Sequence, residues 1–303
     1  MAEEEFQQQQ LNDRIESDIA QRTLVHQANV ARIASASDAA KTLARTAPLA
    51  RPLIMLANGD SWYDYPLTGN GLPLQDTDII AQLRHYGTVP PTVLNLAHRG
   101  DAAVDEMSLP KQERMITALR DKSNWIGGKP DAILISAGGN DIAGDQFCIF
   151  LDFNDGKATG LNDDRFSKAL GAVEGCYLAL FELRNRYAPG VPIYGHCYDF
   201  PIPNGVHPSC AGPWLKPSLD FCGWSVADGT RIAKQALTEF RTMLKRLEAD
   251  KKNNFHVMET QGVLKPEDWA NELHPGYLGF RKMTRIFYDK LTADLTPGVA
   301  ATS

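Results

Sequence analysis

Apolar and polar positions follow two different patterns along this chain. Over the first 47 residues, which contain neither Gly nor Pro, apolar side chains recur at roughly helical spacing among polar residues and Ala. These positions are Phe6, Leu11, Ile15, Ile19, Leu24, Val30 and Ile33. The spacing predicts one long or two shorter amphipathic helices. We expect this segment to pack on the rest of the chain or on a second copy of it, with docking to a partner protein as the alternative.

Beyond Pro48, short apolar runs alternate with helical segments. The apolar runs predict five strands, at residues 51–57, 93–97, 131–136, 191–198 and 254–258. Helical patterns predict five helices, at residues 76–86, 110–122, 164–187, 226–251 and 276–295. Strands that alternate with helices form parallel sheets covered on both faces. The prediction is therefore an α/β fold: a three-layer α/β/α sandwich with a five-stranded parallel sheet in the flavodoxin-like order 2-1-3-4-5.

The two patterns suggest a division of the chain at their boundary. Residues 1–49 are predicted to form an N-terminal helical arm, and residues 50–303 a catalytic domain. Two long connections, residues 142–163 and 199–224, each follow a predicted strand of that domain. Ligands bind to open α/β sheets at this carboxyl edge, and loops of this length are usually functional. The second loop is rich in Pro and aromatic residues, which favours an apolar or sugar-stacking pocket.

Composition narrows the class of protein. Of the 303 residues, 43% are apolar and 22% are charged, and the net charge is −6. Nucleic-acid binding requires a basic surface, which this composition does not suggest. No stretch reaches the roughly 20 apolar residues that span a bilayer, and the start of the chain lacks the basic and apolar regions of a signal peptide. We expect a protein made in the cytoplasm, with export by a leaderless route left open.

The five cysteines, at positions 148, 176, 197, 210 and 222, are widely spaced and include no C-x-x-C. This pattern predicts neither a zinc site nor a thioredoxin-like site. Cys210 and Cys222 lie in one loop and would be the pair to form a disulfide under oxidation. Free thiols are the expectation in a reducing cytosol.

Residues suited to catalysis stand directly after four of the five predicted strands. Ser61 follows the first strand in Gly-Asp-Ser, Gly100 follows the second, and Asn140 follows the third in Gly-Gly-Asn-Asp. His274 follows the fifth strand, before the last predicted helix. All four would meet at one edge of a parallel sheet. A hydroxyl, an imidazole and several N–H donors are the nucleophile, base and oxyanion hole that acyl transfer requires.

This constellation resembles the SGNH (GDSL-type) hydrolase family over roughly residues 50–295. The resemblance implies Ser61 as nucleophile and His274 as general base. It implies an oxyanion hole formed by the N–H groups of Ser61 and Gly100 and the side-chain amide of Asn140. The implied activity is hydrolysis of a small-molecule or lipid carboxylic ester through an acyl-enzyme, without a metal or organic cofactor. Residues near these positions are weaker candidates for substrate contacts: Trp62, Tyr63, Gly139 and Trp214.

One position departs from the family pattern. The family usually has Asp three residues before the His, and this chain has Asn271 there. An amide orients an imidazole but does not stabilise its charged form as a carboxylate does. In serine proteases with a Ser-His-Asp triad, replacement of that Asp by Asn lowers kcat about 10⁴-fold. Three other groups could orient His274 instead: Asp268, Glu272, or a backbone carbonyl that would leave a Ser–His dyad. Glu272 ranks last, because in a turn it would point away from the ring of His274.

Three rival enzyme classes lack their motifs here. The chain contains no Asp-x-His of a metallophosphoesterase, no Gly-x-Ser-x-Gly of an α/β-hydrolase and no G-x-G-x-x-G of a dinucleotide-binding fold. Two other functions remain beside the esterase. One is a non-catalytic ligand-binding protein with the same fold. The other is an exported phospholipase-type toxin whose N-terminal helices serve its loading.

Overall fold

The computed structural model describes residues 2–42, 51–65, 76–206 and 212–296. Within these ranges, five parallel strands form a single sheet in the order β2-β1-β3-β4-β5. The strands are β1 Ile54–Gly59, β2 Thr92–Asn95, β3 Ala132–Ser136, β4 Ile193–His196 and β5 Phe255–Met258. The predicted fold class and the predicted strand order are therefore confirmed.

The centre of the sheet is the apolar core of the domain. All six residues of β1 and all five of β3 are buried, because helices cover both faces of a parallel sheet. The register pairs Met55 with Ala132 and Ile133 with Ile193. Each predicted strand is present with shifted ends. The first was predicted to end at Ala57, but it continues to Gly59 and ends directly before Asp60 and Ser61.

Helices connect the strands and cover the sheet. Within the described ranges they are α1 Ala2–Thr42, α2 Ile79–Leu83, α3 Ala103–Glu106, α4 Leu109–Arg120, α5 Gly139–Ile142, α6 Asp163–Tyr187, α7 Lys216–Phe221, α8 Val226–Ala249 and α9 Tyr277–Leu295. Helix α6 contacts both α4 and α8, and α2 contacts α9. Right-handed crossovers place α4, α6 and α8 on one face of the sheet and α2 and α9 on the other. The short helices α3, α5 and α7 lie in segments for which the sequence predicted no helix.

Helix α8 shows how the apolar pattern positions a wall of the site described below. The helix begins after Ser225, whose hydroxyl accepts a hydrogen bond from the N–H of Asp228 at 3.2 Å, an N-cap. A buried stripe then follows helical spacing: Ile232, Ala233, Ala236, Leu237 and Phe240. This stripe faces the sheet because apolar residues at these intervals share one side of a helix.

Helix α1 is one continuous helix whose middle part packs on the sheet domain. Its residues Ile19 and Val30 are buried in the same core as the sheet. The guanidinium of Arg22 donates to the carbonyl oxygen of Ala97 at 3.2 Å and pairs with the carboxylate of Asp64 at 2.8 Å. Packing on the chain's own domain is therefore observed. The division at residue 49, and roles of α1 in self-association or partner docking, stay predictions.

Two further expectations concern membranes and disulfides. In the part of the chain that the structure covers, no helix has both the length and the apolar character needed to cross a bilayer. The expected pairing of Cys210 with Cys222 under oxidation falls outside the described residues, because Cys210 is not among them.

Candidate active site

A tight turn after β1 presents Ser61 at the carboxyl edge of the sheet. The carbonyl oxygen of Asp60 accepts hydrogen bonds from the N–H groups of Tyr63 and Asp64, both at 3.1 Å. Gly59, with φ +153°, brings the chain so close to β3 that a Cβ there would lie 2.7 Å from Ser136. Only glycine permits this approach. The sequence Gly-Asp-Ser thus sets the position of the hydroxyl.

Ser61 and His274 form a hydrogen-bonded pair across the edge of the sheet. Ser61 Oγ lies 2.7 Å from His274 Nε2, although 213 positions separate the two residues. His274 is only 5% exposed. Burial lowers its pKa to about 3, so the imidazole is neutral at physiological pH. A neutral imidazole whose Nε2 meets the hydroxyl is able to accept the serine proton.

Asn271 holds the other side of the imidazole. Its Oδ1 lies 3.0 Å from His274 Nδ1, and it also accepts the backbone N–H groups of Leu273 at 3.0 Å and His274 at 2.9 Å. Backbone N–H groups only donate, so they fix Oδ1 rather than Nδ2 on this side of the amide. The proton of the ring is therefore on Nδ1, which leaves the Nε2 lone pair for Ser61.

Asp268 does not orient His274, which corrects one of the expectations above. Its carboxylate accepts a hydrogen bond from Lys282 Nζ at 2.6 Å and another from the backbone N–H of Lys265 at 2.8 Å. Asp268 ends a short 3₁₀ turn, Pro266–Asp268, and its side chain folds back to cap that turn. The local backbone therefore directs the carboxylate away from the imidazole and toward α9.

Glu272 points away from the ring, as the turn predicts, and holds the long loop beside the site. It is fully buried. Its carboxylate accepts hydrogen bonds at 2.6–3.1 Å from four backbone N–H groups of that loop, those of Gly205, Trp214, Leu215 and Lys216. The ring of Trp214 consequently lies edge-on to His274, with centroids 5.4 Å apart. Sequence reasoning missed this anchoring role, because no motif links Glu272 to the loop.

Asn140 lies on the same cleft as the Ser–His pair. It belongs to α5 directly after β3, and its Nδ2 donates to the carbonyl oxygen of Asp101 at 2.9 Å. An amide nitrogen carries two N–H groups, so one remains for a substrate oxygen. Gly100, at φ +86°, lies in the exposed turn before Asp101 and is not among the residues that line the cleft. Its role as an oxyanion donor stays a prediction.

A buried carboxylate connects the nucleophile turn to the Asn140 loop. Asp60 Oδ1 accepts hydrogen bonds from the N–H of Trp62 at 2.9 Å and from Ser136 Oγ at 2.6 Å. Its Oδ2 accepts from the hydroxyl of Tyr198, which in turn accepts from the N–H of Gly139 at 3.1 Å. Burial raises the pKa of Asp60 to about 6. No sequence motif marks Tyr198 as part of this link.

An apolar cleft opens beside Ser61 and His274. Its apolar walls come from the nucleophile turn, the two long loops, α8 and the turn before His274. They are Trp62, Ile142, Ala143, Phe147, Pro201, Leu215, Ala233, Ala236, Leu237 and Leu273. A largely apolar lining with a few polar side chains, among them Ser61, Asn140 and His274, is typical of small-molecule sites.

The four weaker candidates for substrate contact differ in position. Trp62 and Gly139 line the cleft. Trp214 is not among the lining residues and contacts His274 instead. Tyr63 was wrongly expected at the cleft: it is fully buried, and its hydroxyl donates to the carbonyl oxygen of Ile135 at 3.2 Å. The turn after Ser61 directs this side chain into the core.

Comparisons with known proteins find similarity in structure only. No protein-family model matches the sequence, and no curated protein sequence matches it. An extracellular lipase from Streptomyces rimosus is 16% identical at a TM-score of 0.46, over 79% of this chain and 99% of that chain. A family 3 carbohydrate esterase from Clostridium thermocellum is 14% identical at a TM-score of 0.43, over 83% and 100%. A lipolytic G-D-S-L family protein from Veillonella parvula is 15% identical at 0.43, over 78% and 97%.

At this level of similarity, these structures do not determine what this chain does, so its function must be argued from its own fold and site. The sheet order, the Ser61–His274 pair and the position of Asn140 have the arrangement that the resemblance to SGNH (GDSL-type) hydrolases implies. The departure at Asn271 is equally visible in the folded chain, where the Asn271 amide contacts Nδ1 of His274.

Proposed function

We propose that this chain is a serine hydrolase that cleaves carboxylic esters through an acyl-enzyme. The observation that supports it most is the 2.7 Å hydrogen bond from Ser61 Oγ to His274 Nε2 at the cleft. A nucleophile and base within hydrogen-bond reach, with the base oriented by a third group, is the general signature of covalent acyl transfer. Here the third group is Asn271.

The reaction would proceed in two halves. His274 Nε2 takes the proton of Ser61 while Oγ attacks the ester carbonyl carbon. The tetrahedral oxyanion accepts hydrogen bonds from the Asn140 amide and from the N–H groups of Ser61 and Gly100. Collapse breaks the bond to the alcohol, which leaves with the proton from His274. Water, deprotonated by the same imidazole, then attacks the acyl-enzyme and releases the acid and Ser61.

The walls of the cleft favour an apolar acyl group. Its lining is largely hydrocarbon, and the small side chains Ala233 and Ala236 leave space along α8. Acyl lipids or simple esters therefore fit better than strongly polar substrates. A series of p-nitrophenyl esters from acetyl to palmitoyl measures this preference, and a steep optimum in chain length decides between a short-chain esterase and a lipase.

Labelling with a serine-directed phosphonate tests the proposed activity. The wild-type chain should form one covalent adduct, and Ser61→Ala should form none while keeping its melting temperature. Ser167→Ala is the matched control, because Ser167 is an exposed serine on α6, and it should label like the wild type. A folded wild-type chain that forms no adduct would overturn the proposal and support the non-catalytic binding protein, which the neutral Asn271 also favours.

A further inference from the structure

His274 becomes positively charged during the proposed reaction, and none of the described hydrogen bonds or ring contacts to its imidazole comes from a carboxylate. Among the described residues, Ser61 and Asn271 hydrogen-bond to the imidazole, and the rings of Tyr65 and Trp214 pack on it. Burial alone accounts for the low pKa of His274, so the folded chain disfavours its charged form. A carboxylate in place of Asn271 would offset the cost of charging this buried imidazole, so in this chain another group must stabilise the charge.

Tyr65 lies face to face with the imidazole. The two ring centroids are 4.2 Å apart and the ring planes differ by 25°. The face of an aromatic ring carries negative charge density and attracts a cation within about 6 Å of its centroid. Trp214 is farther away, at 5.4 Å, and meets the imidazole at 74°. Tyr65 is thus the aromatic ring stacked on the group that becomes charged.

Hydrogen bonds hold Tyr65 in this position. The residue is 4% exposed, and its carbonyl oxygen accepts from the hydroxyl of Thr77 at 2.9 Å. Its own hydroxyl accepts from Asn271 Nδ2 at 3.1 Å. Asn271 therefore contacts the imidazole edge with one end of its amide and the tyrosine hydroxyl with the other. The three side chains form one cluster, in which the ring of Tyr65 is fixed against His274.

We propose that Tyr65 stabilises the imidazolium form of His274 during catalysis and so takes over part of the role of the missing carboxylate. The inference rests on the proposed function, because it concerns the base of that reaction. Tyr65 touches the group that carries the proton and does not touch the proton itself. Its contribution is electrostatic, and it acts only while the ring is charged, that is, around the tetrahedral intermediate.

Two replacements at position 65 test this role. Tyr65→Phe keeps the ring face and should lower kcat less than about 3-fold, whereas Tyr65→Leu should lower kcat about 10- to 30-fold with little change in KM. Phenylalanine analogues with increasing fluorination, placed at position 65, keep the shape of the ring and weaken its negative face. They should lower kcat stepwise. Equal kcat across the fluorinated series would overturn the proposal, even if Tyr65→Leu folds poorly.

The chain contains a matched control in a second Tyr–His stack. Tyr194 stacks on His256 with centroids 4.8 Å apart and planes 23° apart, on β4 and β5. Tyr194 is buried like Tyr65. Tyr194→Leu should therefore reduce the melting temperature while kcat stays within about 2-fold of the wild type. An equal loss of kcat in both Leu variants would show that general destabilisation, rather than stacking on His274, lowers activity.

Asn271→Asp separates this inference from the proposed function. A carboxylate beside Nδ1 should raise the pKa of His274 into the range that NMR titration follows. In that background, adding Tyr65→Leu should lower the pKa of His274 by about 1, if the ring stabilises the charge. An unchanged pKa would overturn the inference. This titration requires no turnover, so it stands even if the phosphonate fails to label Ser61 and the proposed function falls.

Turnover gives a second use of the same variants. Asn271→Asp should raise kcat at least about 10-fold in the Tyr65→Leu background, because the new carboxylate supplies the missing stabilisation. A loss caused by disrupted packing would not be restored by a charge. Failure of this rescue, with Ser61 still labelled by the phosphonate, would count against Tyr65 alone and leave the hydrolase in place.

Discussion

The side of the site around the nucleophile, Ser61, contains a buried carboxylate, whereas the groups that hold the base, His274, are uncharged. Beneath Ser61 lies a carboxylate, Asp60, which is 1% exposed and bonded to Ser136 and Tyr198. Beside His274 lie an amide and an aromatic ring, Asn271 and Tyr65. Serine hydrolases of the triad type place their buried carboxylate behind the base. In this chain, by contrast, the buried carboxylate of Asp60 directly precedes the nucleophile in the sequence.

Carboxylates are present near the base, but they hold the backbone. Asp268 caps a turn and pairs with Lys282, and Glu272 accepts four N–H groups of the neighbouring loop. Both flank Asn271 within three positions of it. The base therefore lacks a carboxylate partner although the local sequence is acidic, because Asp268 and Glu272 are both hydrogen-bonded to other groups.

Burial acts on the two sides in the same physical way. It raises the pKa of Asp60 to about 6 and lowers the pKa of His274 to about 3, since low-dielectric surroundings penalise the charged form of either group. Hydrogen bonds from Ser136, Tyr198 and the Trp62 N–H partly offset this for Asp60. The buried carboxylates thus position loops, whereas in the proposed reaction the base gains its charge only during turnover.

The largest effect outside the Ser–His pair is expected from the donor side. Asn140→Ala removes one oxyanion donor and should lower kcat about 10²- to 10³-fold with little change in KM. Steady-state kinetics on a p-nitrophenyl ester measures it. Asn162→Ala is the control, because Asn162 caps α6 through the N–H of Arg165, outside the residues that line the cleft. It should lose stability and keep its kcat. Equal kcat in both variants would remove Asn140 from the oxyanion hole.

The pH profile of kcat/KM probes both sides at once. A histidine with the usual pKa of 6.5 would leave only about 3% of the base active at pH 5. With a pKa of about 3, His274 stays neutral there and the full loss of activity comes only as the pH falls toward 3. Asp60 gains its proton near pH 6, which should cause a partial step, because Asp60 contacts no reacting atom.

Asp60→Asn assigns the two steps of that profile. The variant should lose the step near pH 6 and keep the lower one. The expected activity at pH 5 is about 30-fold above that of an enzyme with an unshifted histidine. A single loss between pH 6 and 7 that persists in Asp60→Asn would show instead that His274 titrates normally and that the base side is charged more easily than its burial indicates.

Sequence patterns predicted the parts of this site that depend on topology. Ser61, Asn140 and His274 were predicted to lie together because each follows a strand and parallel strands end at one edge, and all three line one cleft. The contacts of Tyr198 with Asp60 and of Tyr65 with Asn271 were not predicted, since they join residues 138 and 206 positions apart and only side-chain packing brings them together. The expected contact between Asp268 and His274 is absent for a local reason. The side chain of Asp268 caps a 3₁₀ turn, which a count of sequence positions does not reveal.

A smaller effect is expected where the buried carboxylate meets the donor loop. Tyr198→Phe removes the hydroxyl that links Asp60 to the N–H of Gly139. The Asn140 amide should then be less well positioned, and kcat should fall about 10-fold. Loss of the hydrogen bonds to Asp60 Oδ2 and from the Gly139 N–H should cost about 1–3 kcal/mol of unfolding free energy, although Asp60 Oδ1 keeps its bonds from Ser136 and Trp62. Urea unfolding and steady-state kinetics measure the two effects.

Tyr63→Phe is the control for this variant. It also removes a buried tyrosine hydroxyl, one that donates to the carbonyl oxygen of Ile135 in the core. Its stability should fall in a similar way while kcat remains unchanged. If both variants lose kcat equally, the link through Tyr198 has no special role in placing Asn140.

The smallest effect is expected from Asp268→Asn, the change that most directly compares the two candidates for the third member. Asp268 pairs with Lys282, so its neutral replacement should cost about 1 kcal/mol of stability and change kcat less than about 3-fold. Lys282→Met breaks the same ion pair and should have the same consequences, and the double variant should add little to either. A loss of kcat of about 100-fold in Asp268→Asn, absent from Lys282→Met, would mean that Asp268 turns toward the imidazole during catalysis. The base side would then have its carboxylate after all, and the contrast with the nucleophile side would disappear.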